Sequence, residues 1–446
     1  MIILSIIISI VVFIITGSFS AFIASLIVAG IGNFFVLSIK KEYQKRAFIL
    51  FNIIFVVYSF FAIAHYVDFA YYGNLKYIDE YRFVETAEQL GTQNTIKDIY
   101  KSNYDRNQVI DNRGYGVYIG SIVLLSKSLG TYNIYVLFLS SILFGALSSI
   151  LIYRLLLFYL DQKTAFTYAL FFMLFSPLLL YSFVVLRDIA ITFFFLAGFV
   201  IIHKEFSIKN LVYLVFLDIL IFNFRTEHGV VFILFIFFYL YKKFKKNKVI
   251  FVSLILTLVG ASSVFIYNAI NTLSRTIDIY SEFSQSEALS AGGDSLGAKL
   301  QQLPSPIREV AIFFNSLIDP FPSWLSVEAS TNIYQAITSI SPIFYSFFWF
   351  TVTFGVIKWF LIKKKYKLLN SELKLLFYIA VLLYAGNLVS FNIRRIMFVY
   401  PIIYLVYAVI NTKFLHRSDI RNTIMQSTTI YIVLVLIYIF AKSFIF

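Results

Sequence analysis

The chain has 446 residues, of which 60% are hydrophobic, 20% aromatic and only 13% charged, and its formal net charge is +14. Soluble domains are about a quarter charged and no more than about half apolar, so this composition excludes an aqueous globular protein. The chain contains no cysteine, which excludes a disulfide scaffold, a thiolate metal site and a cysteine nucleophile.

Apolar segments long enough to cross about 30 Å of hydrocarbon recur along the whole chain. They predict one all-α transmembrane domain over residues 1–446, a polytopic membrane protein with about 11–13 transmembrane helices. The segment 211–241 is long enough for two short spans interrupted at Arg225-Thr226-Glu227-His228. Pro177 should break or kink the predicted helix over 164–185. The other predicted spans lie near 1–16, 19–38, 47–66, 132–158, 164–185, 188–203, 249–268, 333–357, 373–391, 396–411 and 425–444.

The basic residues are distributed unevenly between these spans. Six short connections hold 20 Lys and Arg against four acids, whereas the polar segments 67–112 and 269–332 hold eight basic residues against 15 acids. The positive-inside rule therefore predicts a cytoplasmic N-terminus, cytoplasmic short connections and two extracytoplasmic loops. The excess charge sets orientation, so we expect no nucleic-acid partner. The six connections are 40–46, 161–163, 203–209, 242–248, 358–367 and 413–421.

The segment 113–129 would break this alternation if it crossed the membrane. It is short, contains several glycines and carries Lys127. We therefore interpret it as a re-entrant or interfacial helix, with a true crossing as the alternative. This interpretation gives a first extracytoplasmic loop at 67–130 and a second at 269–332.

Residues 77–90 contain the sharpest candidate for catalysis. Apolar residues at helical spacing predict a helix there, and Asp79 and Glu80 stand at its start. The two acids either cap the helix N-terminus or supply a general base, which would deprotonate a sugar hydroxyl as it attacks an anomeric carbon. The apolar positions of the predicted helix are Tyr81, Val84, Ala87 and Leu90.

Further ionisable residues lie at span ends on the same predicted face. At that depth a charge costs several kcal/mol unless it pairs or lines a watery cavity, so we take these residues as substrate-binding candidates. An arginine there could offer a planar fork to a phosphate oxygen. The candidates are Arg82, Arg187 with Asp188, Arg225 with Glu227 and His228, and Arg394 with Arg395.

Structural alternatives exist for several of these residues. Arg187 and Asp188 could form an ion pair at a helix boundary, and Arg225 could pair with Glu227. His228 is either a structural hydrogen-bonding residue or a weak acid–base candidate.

Arg394 and Arg395 are neighbours, so they face different ways on a helix and only one of them is expected to point into a shared cavity. Outer-loop aspartates could bind a divalent cation, although no spacing is diagnostic of a metal site.

The Asp-Glu motif resembles the first outer loop of GT-C-type membrane glycosyltransferases, and the order of the segments that follow it is also similar, so the resemblance covers roughly residues 47–205. The resemblance implies a sugar donor carried on polyprenyl phosphate or pyrophosphate. It also implies a catalytic role, as base or metal ligand, for Asp79 first and Glu80 second. The similar motifs are the Asp-Glu pair followed by Tyr81, Arg82 and Ala87, the segment 113–129, Lys163-Thr164-Ala165 before a proline-ended helix, and Leu186-Arg187-Asp188.

Two expected features depart from that family, since two predicted spans precede the motif-bearing one and we expect no folded C-terminal soluble domain. It is also similar to O-antigen and capsule repeat-unit polymerases in size, number of spans, aromatic content and possession of two outer loops. That second resemblance implies external arginines, here Arg187, Arg225 and Arg394, near the pyrophosphate of an undecaprenyl-linked glycan.

Both resemblances imply an enzyme of the bacterial inner membrane that acts in O-antigen, capsule or exopolysaccharide assembly. Its partners would be a polyprenyl-linked sugar donor, a glycan or lipid-linked acceptor, and membrane lipid. The alternative is a lipid-linked glycan flippase or transporter that binds the same pyrophosphate without chemistry. Many transporters contain an internal repeat of about half their length, and this sequence shows no such repeat.

Overall fold

A computed structural model describes residues 2–106, 113–244, 253, 303–304, 307–308, 323–386 and 393–445. Helix accounts for 83% of the structure, and the described ranges contain no strand, which confirms the all-α prediction. Five of the described helical segments are long and apolar enough to cross a membrane. The larger number of spans expected from hydropathy stays a prediction. The five segments are Phe19–Val36, Lys41–Tyr72, Tyr135–Leu157, Ile333–Phe360 and Arg417–Phe440.

The chain up to residue 244 forms twelve described helices, most of them where hydropathy predicts a span. The exceptions are the polar helices α4 and α5 and the glycine-containing helix α6, which follow one another between two long apolar helices. The helices are α1 (Ile2–Thr16), α2 (Phe19–Val36), α3 (Lys41–Tyr72), α4 (Ile78–Leu90), α5 (Ile96–Arg106), α6 (Arg113–Ser128), α7 (Tyr135–Leu157), α8 (Gln162–Phe175), α9 (Pro177–Tyr181), α10 (Asp188–Ile202), α11 (Ile208–Phe224) and α12 (Thr226–Phe244).

Seven further α-helices are described from residue 323 onward. The predicted span near 249–268 and most of the predicted loop 269–332 lie outside the described residues. The helix Ser341–Val356 continues into a short π-helix, Ile357–Ile362, and a 3-10 turn, Lys365–Leu368, follows it. The α-helices are α13 (Leu325–Glu328), α14 (Ile333–Ser339), α15 (Ser341–Val356), α16 (Ser371–Gly386), α17 (Ile393–Ile396), α18 (Tyr400–Phe414) and α19 (Arg417–Ile445).

Two predicted interruptions of apolar segments are present in the structure. Pro177 occupies the start of α9 and ends the run of α8, because proline fits the first turn of a helix but not its interior. Arg225 separates α11 from α12 with an extended backbone, at φ −162° and ψ 110°. The break at Arg225 places a buried charged side chain between two otherwise apolar helices.

The basic connections meet at one end of the helical bundle, which we call the basic end. Arg46 donates a hydrogen bond to Gln162 at 3.1 Å, joining two of these connections. Lys242 forms an ion pair with Glu372 at 2.9 Å and donates to the carbonyl of Ile202. Residues that the charge pattern assigns to one side of a membrane are therefore also neighbours in space.

Helix α6 begins at the opposite end of the bundle, which we call the site end, and its last turn contacts the residue after α4. A Cβ on Gly114 would meet Asn223, near the end of α11, at 2.8 Å. At the other end of α6, Lys127 donates to the carbonyl of Gly91 at 2.9 Å. Whether this helix is re-entrant, interfacial or crosses a membrane stays a prediction.

Candidate functional site

The site end gathers charged side chains from four places where helices begin or break. Acidic residues stand in the first turns of α4, α10 and α12, where the partial positive charge of a helix N-terminus stabilises a carboxylate. Arginines come from the break at Arg225, from the residue before α10, and from α17. The three acids are Asp79, Asp188 and Glu227, and the three arginines are Arg187, Arg225 and Arg394.

Asp79 and Arg394 form the more exposed part of this cluster. Arg394 Nη2 donates to Asp79 Oδ2, joining α17 to α4, and the two side chains are 17% and 38% exposed. Burial by itself would raise the pKa of the Asp79 carboxyl, but Arg394, followed by Arg187 and Arg82, outweighs it and lowers that pKa below its usual value. Asp79 is therefore held as a carboxylate that water can still reach.

Asp188, Arg225 and Glu227 form the buried part of the cluster. Arg225 Nη1 donates to Asp188 Oδ1 at 2.7 Å and its Nε donates to Glu227 Oε1 at 2.6 Å. The Asp188 and Arg225 side chains are each only 4% exposed. Arg187 lies beside them and donates to the carbonyl of Phe224 at 3.0 Å, the last residue of α11. The structure thus contains the Arg225–Glu227 pair weighed from the sequence, and Asp188 extends it.

The two parts act on one another electrostatically. Asp188 raises the pKa of Arg394 together with Asp79, against the lowering effect of burial. Arg187 in turn contributes to the lowered pKa of Asp79. One network of opposite charges therefore spans the half-exposed pair and the buried ion pairs.

Glu80 lies next to Asp79 in sequence but is completely buried. Its Oε1 accepts from the backbone N–H of Val185 at 2.8 Å, its Oε2 accepts from that of Lys76 at 3.0 Å, and both oxygens lie near His65 Nε2, at 3.1 and 3.2 Å. Glu80 therefore ties the segment before α10 to α3 and to the start of α4. The helix begins at Ile78, so both acids lie within its first turn. The residue at the N-cap is Tyr77, whose side chain makes no capping hydrogen bond.

Other predicted site residues have simpler surroundings. His228 packs edge-on against Phe398 at 5.3 Å and Phe195 at 6.4 Å between ring centroids. Arg82 is exposed on α4. Arg395 belongs to α17, and its side chain lies outside what the structure describes.

The apolar face predicted for α4 is correct except at one position. Val84, Ala87 and Leu90 are buried, whereas Tyr81 is 44% exposed and Glu80 takes the buried place. The Tyr81 hydroxyl accepts from the N–H of Leu75 at 2.7 Å and donates to a carbonyl of the same turn at 2.9 Å. A tyrosine can hold a turn in this way because its ring is apolar and its tip is polar.

Sequence reasoning missed three groups beside the cluster. His65 and Asp68 lie on α3, and Lys76 follows it in the turn before α4. Asp68 accepts from Asn332 at 2.7 Å, and Lys76 Nζ donates to the carbonyl of Thr338 at 2.8 Å, so together they dock α14 onto α3. A signal was present for His65, which lies inside the predicted span 47–66, because an ionisable residue in an apolar segment is a candidate by default.

A fourth residue that the sequence did not single out, Tyr115, comes from α6. It is 2% exposed, and its hydroxyl has no hydrogen-bond partner among the described residues. Its ring packs edge-on against Phe83 at 4.9 Å and against Phe224 at 5.6 Å. Tyr115 thus fills the space between α4 and the break at the end of α11.

The described residues contain no group of three or more His, Asp or Glu side chains that could hold a metal ion. The acids of the cluster are instead engaged by arginines. The chemistry that this arrangement offers is therefore a reachable carboxylate next to several guanidinium groups, a combination that suits proton abstraction beside an anionic group.

Comparisons with protein-family models, with curated proteins and with solved structures find no match to this chain. The site must therefore be interpreted from its own geometry.

Proposed function

We propose that this chain is an integral-membrane glycosyltransferase that takes its sugar from a polyprenyl-phosphate or polyprenyl-pyrophosphate carrier. It would act on the extracytoplasmic face of a bacterial inner membrane in surface-polysaccharide assembly, with repeat-unit polymerisation as one form of the reaction. The observation that carries the proposal is the half-exposed Asp79–Arg394 pair beside the buried arginine network, at one end of a bundle of apolar helices.

Asp79 has the properties required of the base. Its carboxylate is ionised and reachable from water, so it can accept the proton of an acceptor hydroxyl. As that proton moves to Asp79, the hydroxyl oxygen bonds to the anomeric carbon of the donor sugar. The bond between that carbon and the phosphate oxygen breaks, and its electron pair leaves with the carrier. General-base assistance of this kind contributes about 10²–10⁴-fold to a rate.

The arginines have the properties required to stabilise the leaving group. The departing carrier phosphate gains negative charge, and Arg394 is the arginine closest to the proposed base. Arg187 and Arg225 are fixed behind it by a carbonyl and by two carboxylates. Preorganised donors of this kind are worth about 2.7–4 kcal/mol each in a transition state.

The surrounding helices suit a lipid-borne donor. An isoprenoid chain needs an apolar surface, and five described helical segments supply enough length and hydropathy to face hydrocarbon. The carrier phosphate needs cations at the ends of apolar helices, and Arg187 precedes the apolar helix α10 while Arg225 lies between α11 and α12. The acceptor, a glycan or a lipid-linked glycan, would approach the exposed side of Asp79.

The direct test is to incubate the purified chain, in lipid vesicles, with a polyprenyl-pyrophosphate-linked oligosaccharide and to measure the product by mass spectrometry. We expect a lengthened or newly glycosylated product from the native chain and none from Asp79→Asn. Glu85→Gln is the matched control, because Glu85 is an exposed acid of the same helix whose side chain, among the described residues, accepts a local hydrogen bond from Gln89. Movement of the intact glycolipid across the bilayer without a new glycosidic bond would reject the enzyme and favour a flippase.

A further inference from the structure

The arginines of the cluster differ in how firmly the protein holds them. Arg225 is bound by two carboxylates and is 4% exposed, so an incoming anion cannot reach it without breaking a buried network. Arg394 pairs with the carboxylate of Asp79 and is 17% exposed. Because its side chain is the more exposed of the two, Arg394 is the arginine that an incoming anion reaches more readily.

Its partner is the most exposed acid of the cluster. The Asp79 side chain is 38% exposed, against 4% for Asp188 and 21% for Glu227. Ion pairs that water can reach are weak, because solvent screens the attraction and compensates the separated charges. The Asp79–Arg394 pair is thus the contact in the cluster that an entering phosphate can most easily replace.

We propose that Arg394 is a shared ligand that the donor's phosphate takes from Asp79, so that binding of the donor releases the base that the reaction needs. This inference rests on the proposed function in taking the anion to be the phosphate of a lipid-linked sugar. A guanidinium has five N–H donors, so it can turn its fork to a phosphate without losing its interaction with the field of Asp188.

The exchange would also improve Asp79 as a base. In the resting protein burial raises the pKa of the Asp79 carboxyl, and Arg394 contributes most to lowering it. Arg187 from the neighbouring segment and Arg82 from the same helix lower it further. When a phosphate neutralises Arg394, the guanidinium lowers the pKa of Asp79 less, and the share of burial in setting that pKa becomes larger. The pKa of Asp79 then rises toward the range where a carboxylate accepts a proton efficiently. The base would therefore become active only when the donor is in place.

The test is a binding measurement with the full chain in nanodiscs, using polyprenyl phosphate in the bilayer and, separately, inorganic pyrophosphate in solution. Asp79→Asn removes the competitor for Arg394, so we expect it to bind both probes about threefold to tenfold more tightly than the native chain. Equal affinities for the two proteins would overturn the proposal. Tightening with inorganic pyrophosphate alone would overturn the assignment to a lipid-borne donor.

A double-mutant cycle separates direct exchange from a general charge effect. In an Arg394→Gln background, Asp79→Asn should no longer tighten binding; tightening that persists there contradicts a shared ligand. Arg394→Met, which also removes the shared cation, replaces Arg394→Gln if the glutamine variant does not give a folded protein. Glu85→Gln removes an equal charge from the same helix, and it should change affinity less than twofold, since the exposed Glu85 side chain, among the described residues, accepts a local hydrogen bond from Gln89. A full effect in that control would also overturn the proposal.

The measurement is independent of turnover. If binding tightens as expected but no glycosidic bond is ever formed, the shared arginine stands and the proposed enzyme activity fails. If product forms but Asp79→Asn leaves binding unchanged, the activity stands and the shared arginine fails.

Discussion

Asp79 and Glu80 are consecutive acids in the first turn of one helix, yet the protein treats them in opposite ways. Glu80 is completely buried and accepts hydrogen bonds from two backbone N–H groups beside His65. Asp79 is 38% exposed and pairs with Arg394 from a distant part of the chain. The same chemical group is therefore a fixed joint at one position and an accessible ion pair at the next.

The two carboxylates differ because one is buried and the other remains in contact with water. A buried carboxylate is tolerated only when its oxygens are hydrogen-bonded, and Glu80 meets that condition by holding the segment before α10 in place. Asp79 keeps contact with water, so it can change partners at small cost. We expect substitutions at Glu80 to act on stability and substitutions at Asp79 to act on activity, and the following predictions test that division.

The largest expected effect is on activity at Asp79. Asp79→Asn should reduce glycosyl transfer by about 10²–10⁴-fold, because an amide cannot accept the proton, while the folded protein remains. Steady-state product formation and a thermal unfolding curve check the two parts. A variant that loses activity only in proportion to lost folded protein would assign Asp79 a structural role like that of Glu80.

The next effect concerns the two arginines and extends the comparison to their ion pairs. Arg225→Met should destabilise the protein by about 3–5 kcal/mol, because it leaves Asp188 buried without its partner. Arg394→Met should cost clearly less stability, since its pair with Asp79 is half-exposed. Unfolding in detergent measures both, with Arg82→Met as the exposed control; equal losses for Arg225 and Arg394 would contradict the proposed division of the cluster.

A smaller effect is expected at Glu80. Glu80→Gln replaces one acceptor with an N–H donor that must face Val185 N–H or Lys76 N–H, so one hydrogen bond is lost and two donors oppose each other. The expected loss of stability is about 1–3 kcal/mol. Asp79→Asn is the matched control, because its remaining oxygen can still face Arg394. The division fails if the two amide substitutions have equal effects on unfolding.

Much of the helical framework was predictable from the sequence because it depends on local signals. Apolar runs gave the long helices, Pro177 gave the break after α8, and the charged stretch at Arg225 gave the break before α12. The distribution of Lys and Arg predicted that the basic connections lie on one side, and Arg46 and Lys242 make their contacts at the basic end. Each of these features is set within a few residues.

The pairing of side chains was not predictable in the same way. Asp79 and Arg394 are 315 positions apart, and only the packed bundle brings their helices together. The residue pattern alone did not separate Asp79 from Glu80, although the family resemblance ranked Asp79 first, because the packing of the helix decides which of them faces the core. It also passed over Lys76, whose role depends on the carbonyl of Thr338 in a helix far along the chain.

The smallest predicted effect concerns Lys76, which connects the Glu80 joint to α14. Burial lowers the pKa of this lysine to about 8, although Glu80 and Asp68 act in the opposite direction. The pKa of a lysine in an unfolded chain is about 10.4. Between pH 8 and that value the unfolded chain binds more protons than the folded protein, so the free energy of unfolding rises with pH. Melting temperatures should therefore increase from pH 8 to pH 10 more in the native chain than in Lys76→Met. Lys97→Met, which removes an exposed lysine of α5, should follow the native curve, and parallel curves for native chain and Lys76→Met would show that Lys76 stays charged in the folded protein.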